Sequence, residues 1–239
     1  MNKYVWMTVT FIIMIVTNAL ANILPINGQR TGEISNSLNV LFTPAGYVFS
    51  IWGLIYALVL IWLVMQWIRK DTTKTQAVLF SASSILNALW LLTYHYEFFW
   101  TSTVVMVLLL LTLIALYLTY PKGNWHVAER LPFSVYLSWI AVATIANFSF
   151  TMKNDGISLG ISEVYGTILL MVVATFIALG ARFISRDIFF PLVVVWAFTG
   201  IIVSNSSQAI IVATTILIII IVVAIIIGFL KRRNVRGVL

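Results

Sequence analysis

The chain has 239 residues, of which 62% are hydrophobic and only 9% are charged, and its mean hydropathy is +1.05. Soluble domains carry about 25% charged residues. The composition therefore predicts a polytopic membrane protein and excludes a soluble catalytic domain, a nucleic-acid-binding module and a large ectodomain, despite a net charge of +7. The absence of cysteine excludes disulfides, thiolate metal sites and cysteine nucleophiles.

Eight apolar runs follow one another along the chain, most of them close to the roughly 20 residues that a membrane-spanning helix needs. We predict helices at residues 5–24, 47–68, 76–95, 100–120, 132–152, 161–180, 188–204 and 209–230. The seventh run is short, and Pro191 near its start is compatible with a tilted, kinked or partly re-entrant segment. The predicted fold is an all-α integral membrane bundle of about eight transmembrane helices.

Basic residues concentrate in alternate connecting segments. One set of segments, which includes both termini, holds 12 Lys and Arg residues, and the other set holds only Arg30 and Lys153. Because cytoplasmic loops retain positive charge, we predict an integral protein of the cell membrane with both termini in the cytoplasm. The 12 residues are Lys3, Arg69, Lys70, Lys74, Lys122, Arg130, Arg182, Arg186, Lys231, Arg232, Arg233 and Arg236.

The first loop, residues 25–45, is the longest predicted connection and contains Pro, Gly, Asn and Ser. It is the natural lid over any cavity at that end of the bundle, although a plain surface linker would have the same composition. The first span ends in Ala19-Leu20-Ala21, which resembles a signal-peptidase site. Its apolar run exceeds the about 7–15 residues of a signal h-region, so we favour a retained helix.

Three predicted helices carry aromatic and polar side chains three or four residues apart, a spacing that places them on one face. Such a stripe packs against protein, because its polar groups need partners. The stripes indicate either plain interhelical packing or an aromatic pocket for a flat hydrophobic ligand. Their members are Phe49, Trp52 and Tyr56 in the second span, Ser83, Asn87, Trp90 and Tyr94 in the third, and Tyr136, Trp139, Ala143 and Asn147 in the fifth.

Three segments carry a family resemblance. They are TPAGYVFSIWGLIY at 43–56, LNALW at 86–90, with an Asn three residues before a Trp, and YLSWIAVATIAN at 136–147. In this order they resemble parts of the second, third and fifth helices of the translocator protein family, the tryptophan-rich sensory proteins (TspO/MBR). The resemblance covers about the first 152 residues. After Asn147 the chain lacks the Tyr of the family's proposed cholesterol motif, so cholesterol is not the expected ligand.

The resemblance implies a five-helix bundle at 1–152 that holds a tetrapyrrole, such as haem or protoporphyrin, beneath the first loop. Residues 153–239 would then form a C-terminal extension of about three helices with a basic cytoplasmic tail. The family also often forms homodimers. Position by position, the resemblance carries over Trp52, Trp90, Trp139, Ala143 and Asn147 as cavity residues. The stripes add Phe49, Tyr56, Asn87 and Tyr136 to the predicted ligand-binding set.

These features favour a membrane receptor or carrier over an enzyme, with membrane lipid and a small hydrophobic ligand as partners and with no required cofactor, catalytic residue or metal site. One alternative is a photo-oxidative enzyme that degrades porphyrin at Trp52 and Trp139, and another is a membrane scaffold in which the stripes only hold helices together. His95 and His126 lie at or beyond the ends of predicted spans and give little support for axial haem ligation. The acidic residues are dispersed over loops and span edges, unlike an intramembrane proton relay.

Overall fold

The computed structural model describes residues 2–121, 127–158 and 160–236, with side chains at 127–128 and 231–236 left undescribed. The described chain is helical, and none of its residues forms a named strand. The helices are α1 (Lys3–Ile23), α2 (Thr31–Asn36), α3 (Ile51–Arg69), α4 (Lys74–His95), α5 (Phe99–Leu118), α6 (Val127–Asn154), α7 (Glu163–Phe183), α8 (Phe189–Ser204) and α9 (Gln208–Arg236), and a 3-10 turn at Gly46–Ser50 leads into α3.

The predicted all-α membrane bundle is confirmed. Among the described residues, seven helices are long and apolar enough to cross a membrane, and α8 is a shorter apolar helix of 16 residues. Several begin at polar caps: the side chains of Asn2, Thr73 and Ser162 each accept a hydrogen bond from a backbone N–H in the first turn of α1, α4 and α7. These caps satisfy amides that have no partner within the helix.

Several helices extend beyond the predicted spans, and at α6 and α7 the difference changes where charged residues lie. α6 begins at Val127, so that Pro132 lies inside the helix instead of marking its start. α7 continues past residue 180 to Phe183 and therefore includes Arg182. Charged residues that the hydropathy pattern placed in connecting segments thus become buried parts of helices.

The helices form one connected bundle. α4 packs against α1 and α5, α6 packs against α3, α5 and α8, and α7 and α9 pack against each other and against α8. α6 and α8 therefore join the first five membrane helices to the last three. The large side chains buried inside the bundle include Trp62, Phe80, Phe133, Trp139 and Phe198.

α8 is continuous, so that Pro191 does not break it. Pro191 is its third residue, in the first turn, where a missing N–H costs no intrahelical bond. A helix of 16 residues is about 24 Å long, which is less than the roughly 30 Å hydrocarbon thickness of a bilayer. Half of the residues of α8 are nevertheless buried, because α6, α7 and α9 pack against it.

The end of the bundle at which α1 begins is called the tail end. There a buried polar cluster joins the first five membrane helices to the last three. Arg130 lies over the ring of Tyr117, 4.1 Å from its centroid, and donates to the carbonyl of Ser185 at 3.1 Å. Asp187 accepts hydrogen bonds from the Tyr117 hydroxyl and from the backbone N–H of Phe189 at the start of α8. All three side chains that carry the cluster are buried, so their mutual bonds replace those lost to water.

Arg182 occupies a second buried position near this end. Its guanidinium donates to the carbonyl of Ile225 in α9 at 3.1 Å. Gly228 provides the room, because a Cβ added there would lie 1.9 Å from the guanidinium Nη2. The contact fixes α7 against α9.

The opposite end of the bundle, which we call the loop end, carries its polar contacts nearer the surface. Lys153 bridges the carbonyl of Asn39 at 3.0 Å and the carboxylate of Glu163 at 2.7 Å. Trp100 donates its indole N–H to Asp155 at 2.6 Å, and this bond holds the pKa of the carboxyl below its ordinary value.

We expect Asp187→Ala to lower the free energy of unfolding by about 1–3 kcal/mol. The substitution removes the acceptor that caps α8 and leaves the Tyr117 hydroxyl without its carboxylate partner. Thermal unfolding in detergent, followed by tryptophan fluorescence, measures the change. Asp71→Ala is the control, because Asp71 is exposed in the connection between α3 and α4. Equal melting temperatures for the two variants would contradict this account of the cluster.

Candidate functional site

Trp52 lies at the centre of an aromatic group between α3, α4 and α6. Its ring is nearly parallel to that of Tyr56, with centroids 5.7 Å apart, and to that of Trp90, at 6.3 Å. It meets Tyr136 at 6.1 Å and Trp139 at 6.2 Å with an edge-to-face geometry. The predicted stripes of three helices therefore converge on one residue, which is itself only half-buried.

The group continues toward the loop end. Tyr94 stacks on Trp90 at 5.9 Å with an interplanar angle of 25°. We call Tyr56, Trp52, Trp90 and Tyr94 the aromatic column. Offset stacking of this kind is favourable because the negative face of one ring meets the positive edge of its neighbour. Phe49 extends the side of the group by contacting Trp139 edge-on at 5.8 Å.

Asn147 is the polar centre behind the column. Its carbonyl oxygen accepts from the indole N–H of Trp90 at 3.1 Å, and its amide nitrogen donates to Thr103 at 2.7 Å and Ser102 at 3.2 Å. One buried amide thus connects α6 with α4 and α5. The bond to Trp90 also fixes the orientation of an indole ring in the column.

A second amide pair lies deeper in the bundle. Asn18 of α1 donates to the side-chain oxygen of Asn87 at 2.7 Å and to the carbonyl of Met14 at 2.9 Å. Both amides are buried. The Asn87 Nδ2 and the Trp139 Nε1 are buried donors that have no hydrogen-bond acceptor among the described residues. The indole N–H of Trp139 lies on the cavity side and is therefore available to an acceptor on a ligand.

A narrow cavity opens beside the column beneath the first loop. Its empty space, counted to its open mouth, is about 570 Å³, but the part that the centre of a water molecule can occupy is only about 50 Å³. The aromatic rings themselves fill most of the space between the helices. The lining residues are Thr31, Ser35, Thr43, Pro44, Phe49, Trp52, Trp90, Tyr94, Trp139, Val142, Ala143, Ala146, Asn147 and Phe150.

Six of the nine predicted site residues line this cavity: Phe49, Trp52, Trp90, Trp139, Ala143 and Asn147. The other three lie behind them. Tyr56 and Tyr136 contact the far side of Trp52, and Asn87 pairs with Asn18.

Several contributors to the site lie outside the predicted set. Tyr94 follows Trp90 by four residues in one of the stripes, so its spacing is the signal that could identify it. Asn18 is an amide within the first apolar run, which also marks it as a residue that needs an internal partner. Nothing in the spacing identifies Thr31, Ser35 or Pro44, because their positions depend on how the loop folds.

The first loop covers the cavity, as expected of a lid. Thr31, at the start of α2, forms a hydrogen bond with the Nε2 of His95 at 2.9 Å, and the other ring nitrogen of His95 lies 3.3 Å from the carbonyl of Ile26. Asn27 donates to the backbone carbonyl of His95 at 3.0 Å. His95 is thus a buried anchor for the loop at the end of α4, and both of its nitrogens are engaged.

The described residues contain no group of three or more His, Cys, Asp or Glu side chains that could hold a metal ion. His126 lies outside the described residues. The arrangement around the column is instead apolar and aromatic, with a few hydrogen-bonding groups at its back and mouth. It can hold a flat molecule by stacking and by hydrogen bonds from buried donors.

Fold and site together define a polytopic helical membrane protein with an aromatic cavity beneath its first loop. The chain belongs to the TSPO-like protein family, whose model matches residues 4–229. The match extends through α7 and α8 and into α9, well beyond the 152 residues that the motif resemblance covers. No curated protein and no solved structure matches the chain.

We expect Asn147→Ala to lower the free energy of unfolding by about 1–3 kcal/mol, because it leaves the buried indole N–H of Trp90 without an acceptor and removes the link to α5. Thermal unfolding in detergent, followed by circular dichroism, measures the change. Asn154→Ala, at the exposed end of the same helix, is the matched control. A variant as stable as this control would show that Asn147 does not organise the cluster.

Proposed function

We propose that the protein is a membrane receptor or carrier that binds a flat hydrophobic ligand against the aromatic column, with a tetrapyrrole such as protoporphyrin or haem as the first candidate. The proposal is supported above all by the position of the column, which stands at the wall of a cavity beneath the first loop. Membership of the TSPO-like family supports a protein of this kind.

The chemistry of the walls suits such a ligand. Trp52 and Trp90 present nearly parallel rings, and Trp139 stands at right angles to Trp52. A macrocycle that stacks on one of these indoles gains about 0.5–1.5 kcal/mol per ring pair beyond the burial of its apolar surface. The N–H of Trp139, which has no acceptor among the described residues, can donate to an acceptor on the ligand.

The size of the cavity imposes a condition on binding. Drug-sized ligands occupy cavities of roughly 300–1,000 Å³, whereas the water-sized space here is about 50 Å³. A macrocycle fits only if Trp52 swings away from its neighbours or the loop segment that carries Thr43 and Pro44 moves outward. Trp52 is half-buried and is the central ring of the group, so we expect its displacement to open space along the column.

We further propose that both termini lie in the cytoplasm and that the protein resides in the cell membrane. Several basic residues meet at the tail end: Lys3 donates to the carbonyl of Thr72, and Arg69 pairs with Glu129 at 3.1 Å. This clustering supports the orientation by the positive-inside rule. Residues 1–152 would supply the ligand-binding unit, and residues 153–239 would support it.

The decisive prediction concerns protoporphyrin binding to the purified protein in detergent. We expect saturable quenching of tryptophan fluorescence with a shifted Soret band, and an affinity about tenfold weaker in the Trp52→Phe, Trp139→Phe double variant, because two indole contacts are reduced. Trp6→Phe is the matched control, since Trp6 is 46% exposed on α1 and does not line the cavity.

Three outcomes would count against the proposal. If no saturable binding is found, the tetrapyrrole is not the ligand, and if binding is weakened equally in Trp6→Phe, the ligand lies outside the cavity. If the double variant loses only thermal stability, the rings serve packing alone, as in a membrane scaffold. Illumination of the bound samples separates binding from photo-oxidative turnover, which would bleach the Soret band in the wild type and not in the variant.

A further inference from the structure

The loop segment that forms one wall of the cavity is attached to the C-terminal part of the chain. Ser204, at the end of α8, donates its hydroxyl to the carbonyl of Thr43 at 2.8 Å, and the Asn205 side chain donates to the carbonyl of Leu41 at 2.9 Å. The backbone N–H of Ala45 donates to the carbonyl of Gly200 at 3.0 Å. Backbone N–H and C=O groups of this loop segment that would otherwise lack hydrogen-bond partners are thus paired by groups in α8 and directly after it.

A fourth bond and an aromatic contact continue the attachment into the 3-10 turn. The indole N–H of Trp196 donates to the carbonyl of Val48 at 3.1 Å. The same indole meets the ring of Tyr47 edge-on, with centroids 5.3 Å apart. The attachment therefore spans residues 41–48, which we call the wall segment.

Gly200 sets the depth at which the wall segment rests on α8. A Cβ added at Gly200 would lie 2.2 Å from the Val48 Cγ2 and 2.9 Å from the Pro44 Cβ. Carbon atoms make contact at about 3.5–4.0 Å, so an alanine here would force the segment outward by about 1–2 Å. Val48 is fully buried and Pro44 is a rigid ring, so neither offers a flexible end that could swing aside.

The helix that holds the wall segment is itself fixed to the opposite wall. Ser138 of α6 donates to the carbonyl of Phe190 in α8 at 2.7 Å, one residue before Trp139. α8 therefore connects the side of the cavity formed by Thr43, Pro44 and Phe49 to the side formed by Trp139.

We infer that α8 is the positioning element of the cavity: Gly200 seats the wall segment, Ser204 and Asn205 hold it, and together they set the width of the opening for a flat hydrophobic ligand. The identity of the ligand rests on the proposed function, but the geometry of the wall does not. The inference gives the C-terminal helices a role in the site that the first 152 residues do not supply alone.

The absence of cysteine permits a test that needs no ligand. Val142 lines the cavity on α6 and is 2% exposed, so Val142→Cys places one thiol inside it. Modification of this thiol by a water-soluble methanethiosulfonate, measured by mass spectrometry on the full-length protein in detergent, reports how often the wall opens. The wild-type chain is the unreactive blank.

In the Val142→Cys protein we expect Gly200→Ala to raise the labelling rate of the thiol about tenfold, because the wall segment is displaced. Gly180→Ala is the matched control: it makes the same substitution in a neighbouring membrane helix, where an added Cβ meets nothing within 4 Å. A labelling rate in Gly200→Ala equal to that of the control would overturn the inference.

A milder pair of substitutions covers the case in which Gly200→Ala does not fold. Ser204→Ala with Asn205→Ala removes two bonds to the wall segment without a steric clash, and we expect labelling about fivefold faster. Both side chains also bond the carbonyl of Ile201, so circular dichroism is recorded to confirm that α8 is retained. Unchanged labelling with retained helix content would also overturn the inference.

Protoporphyrin titration of the same variants then separates the two proposals. Faster dissociation of protoporphyrin from Gly200→Ala than from Gly180→Ala is expected if the wall controls access. Faster labelling in a protein that binds no protoporphyrin would refute the tetrapyrrole proposal and leave the positioning role of α8 standing. Labelling at the control rate in a variant that binds protoporphyrin as the wild type does would overturn the positioning role of α8 and leave the tetrapyrrole proposal standing.

Discussion

The structure depends on the requirement that polar groups within a membrane find partners inside the protein, because hydrocarbon offers none. Asn147 illustrates the effect of this constraint. Its side chain bonds Trp90 in α4 and both Thr103 and Ser102 in α5. The amide thereby fixes the separation of three helices and also the plane of one indole. The orientation of Trp90 in the aromatic column therefore follows from the need of buried polar groups for hydrogen-bond partners.

The same constraint explains why the C-terminal helices take part in the site. The wall segment is irregular backbone that reaches into the bundle, and such backbone is tolerated at membrane depth only where protein satisfies it. The groups that accept and donate these bonds lie at Trp196, Gly200 and Ser204 in α8 and at Asn205 directly after it. α8 is too short to span the hydrocarbon alone, and the wall segment occupies the space against its end. The short seventh span and the folded first loop are thus one structural feature.

The sequence was sufficient to predict the elements and the faces of the site, because both follow from local periodicity. Spacings of three and four residues placed Trp52, Trp90 and Asn147 on faces that do converge. Periodicity carries no information on which loop residue meets which helix. The bond between Thr31 and His95, and the seat of Val48 on Gly200, both depend on how a loop of more than 20 residues folds back.

Hydropathy also misplaced charged residues near the ends of helices. Arg130 and Arg182 were assigned to connecting segments, since a charge ends an apolar run. Each instead lies buried in a helix, where its guanidinium bonds a backbone carbonyl of another part of the chain. The position of the Arg182 guanidinium also depends on Gly228, 46 residues further along the chain. A Cβ at that position would occupy the space that the guanidinium fills.

The aromatic column is consistent both with a packed core and with a binding site, and the reason is energetic. A planar ligand that inserts beside Trp52 replaces contacts between rings with contacts between a ring and a macrocycle, and the two kinds of stacking are similar in strength. The exchange therefore costs little, and the gain comes from removing the apolar surface of the ligand from water. A core built from aliphatic side chains would lose its contacts on opening without such replacement. Under the proposed function, rings that stack on one another beneath an attached loop would close the site without a ligand and would open for one.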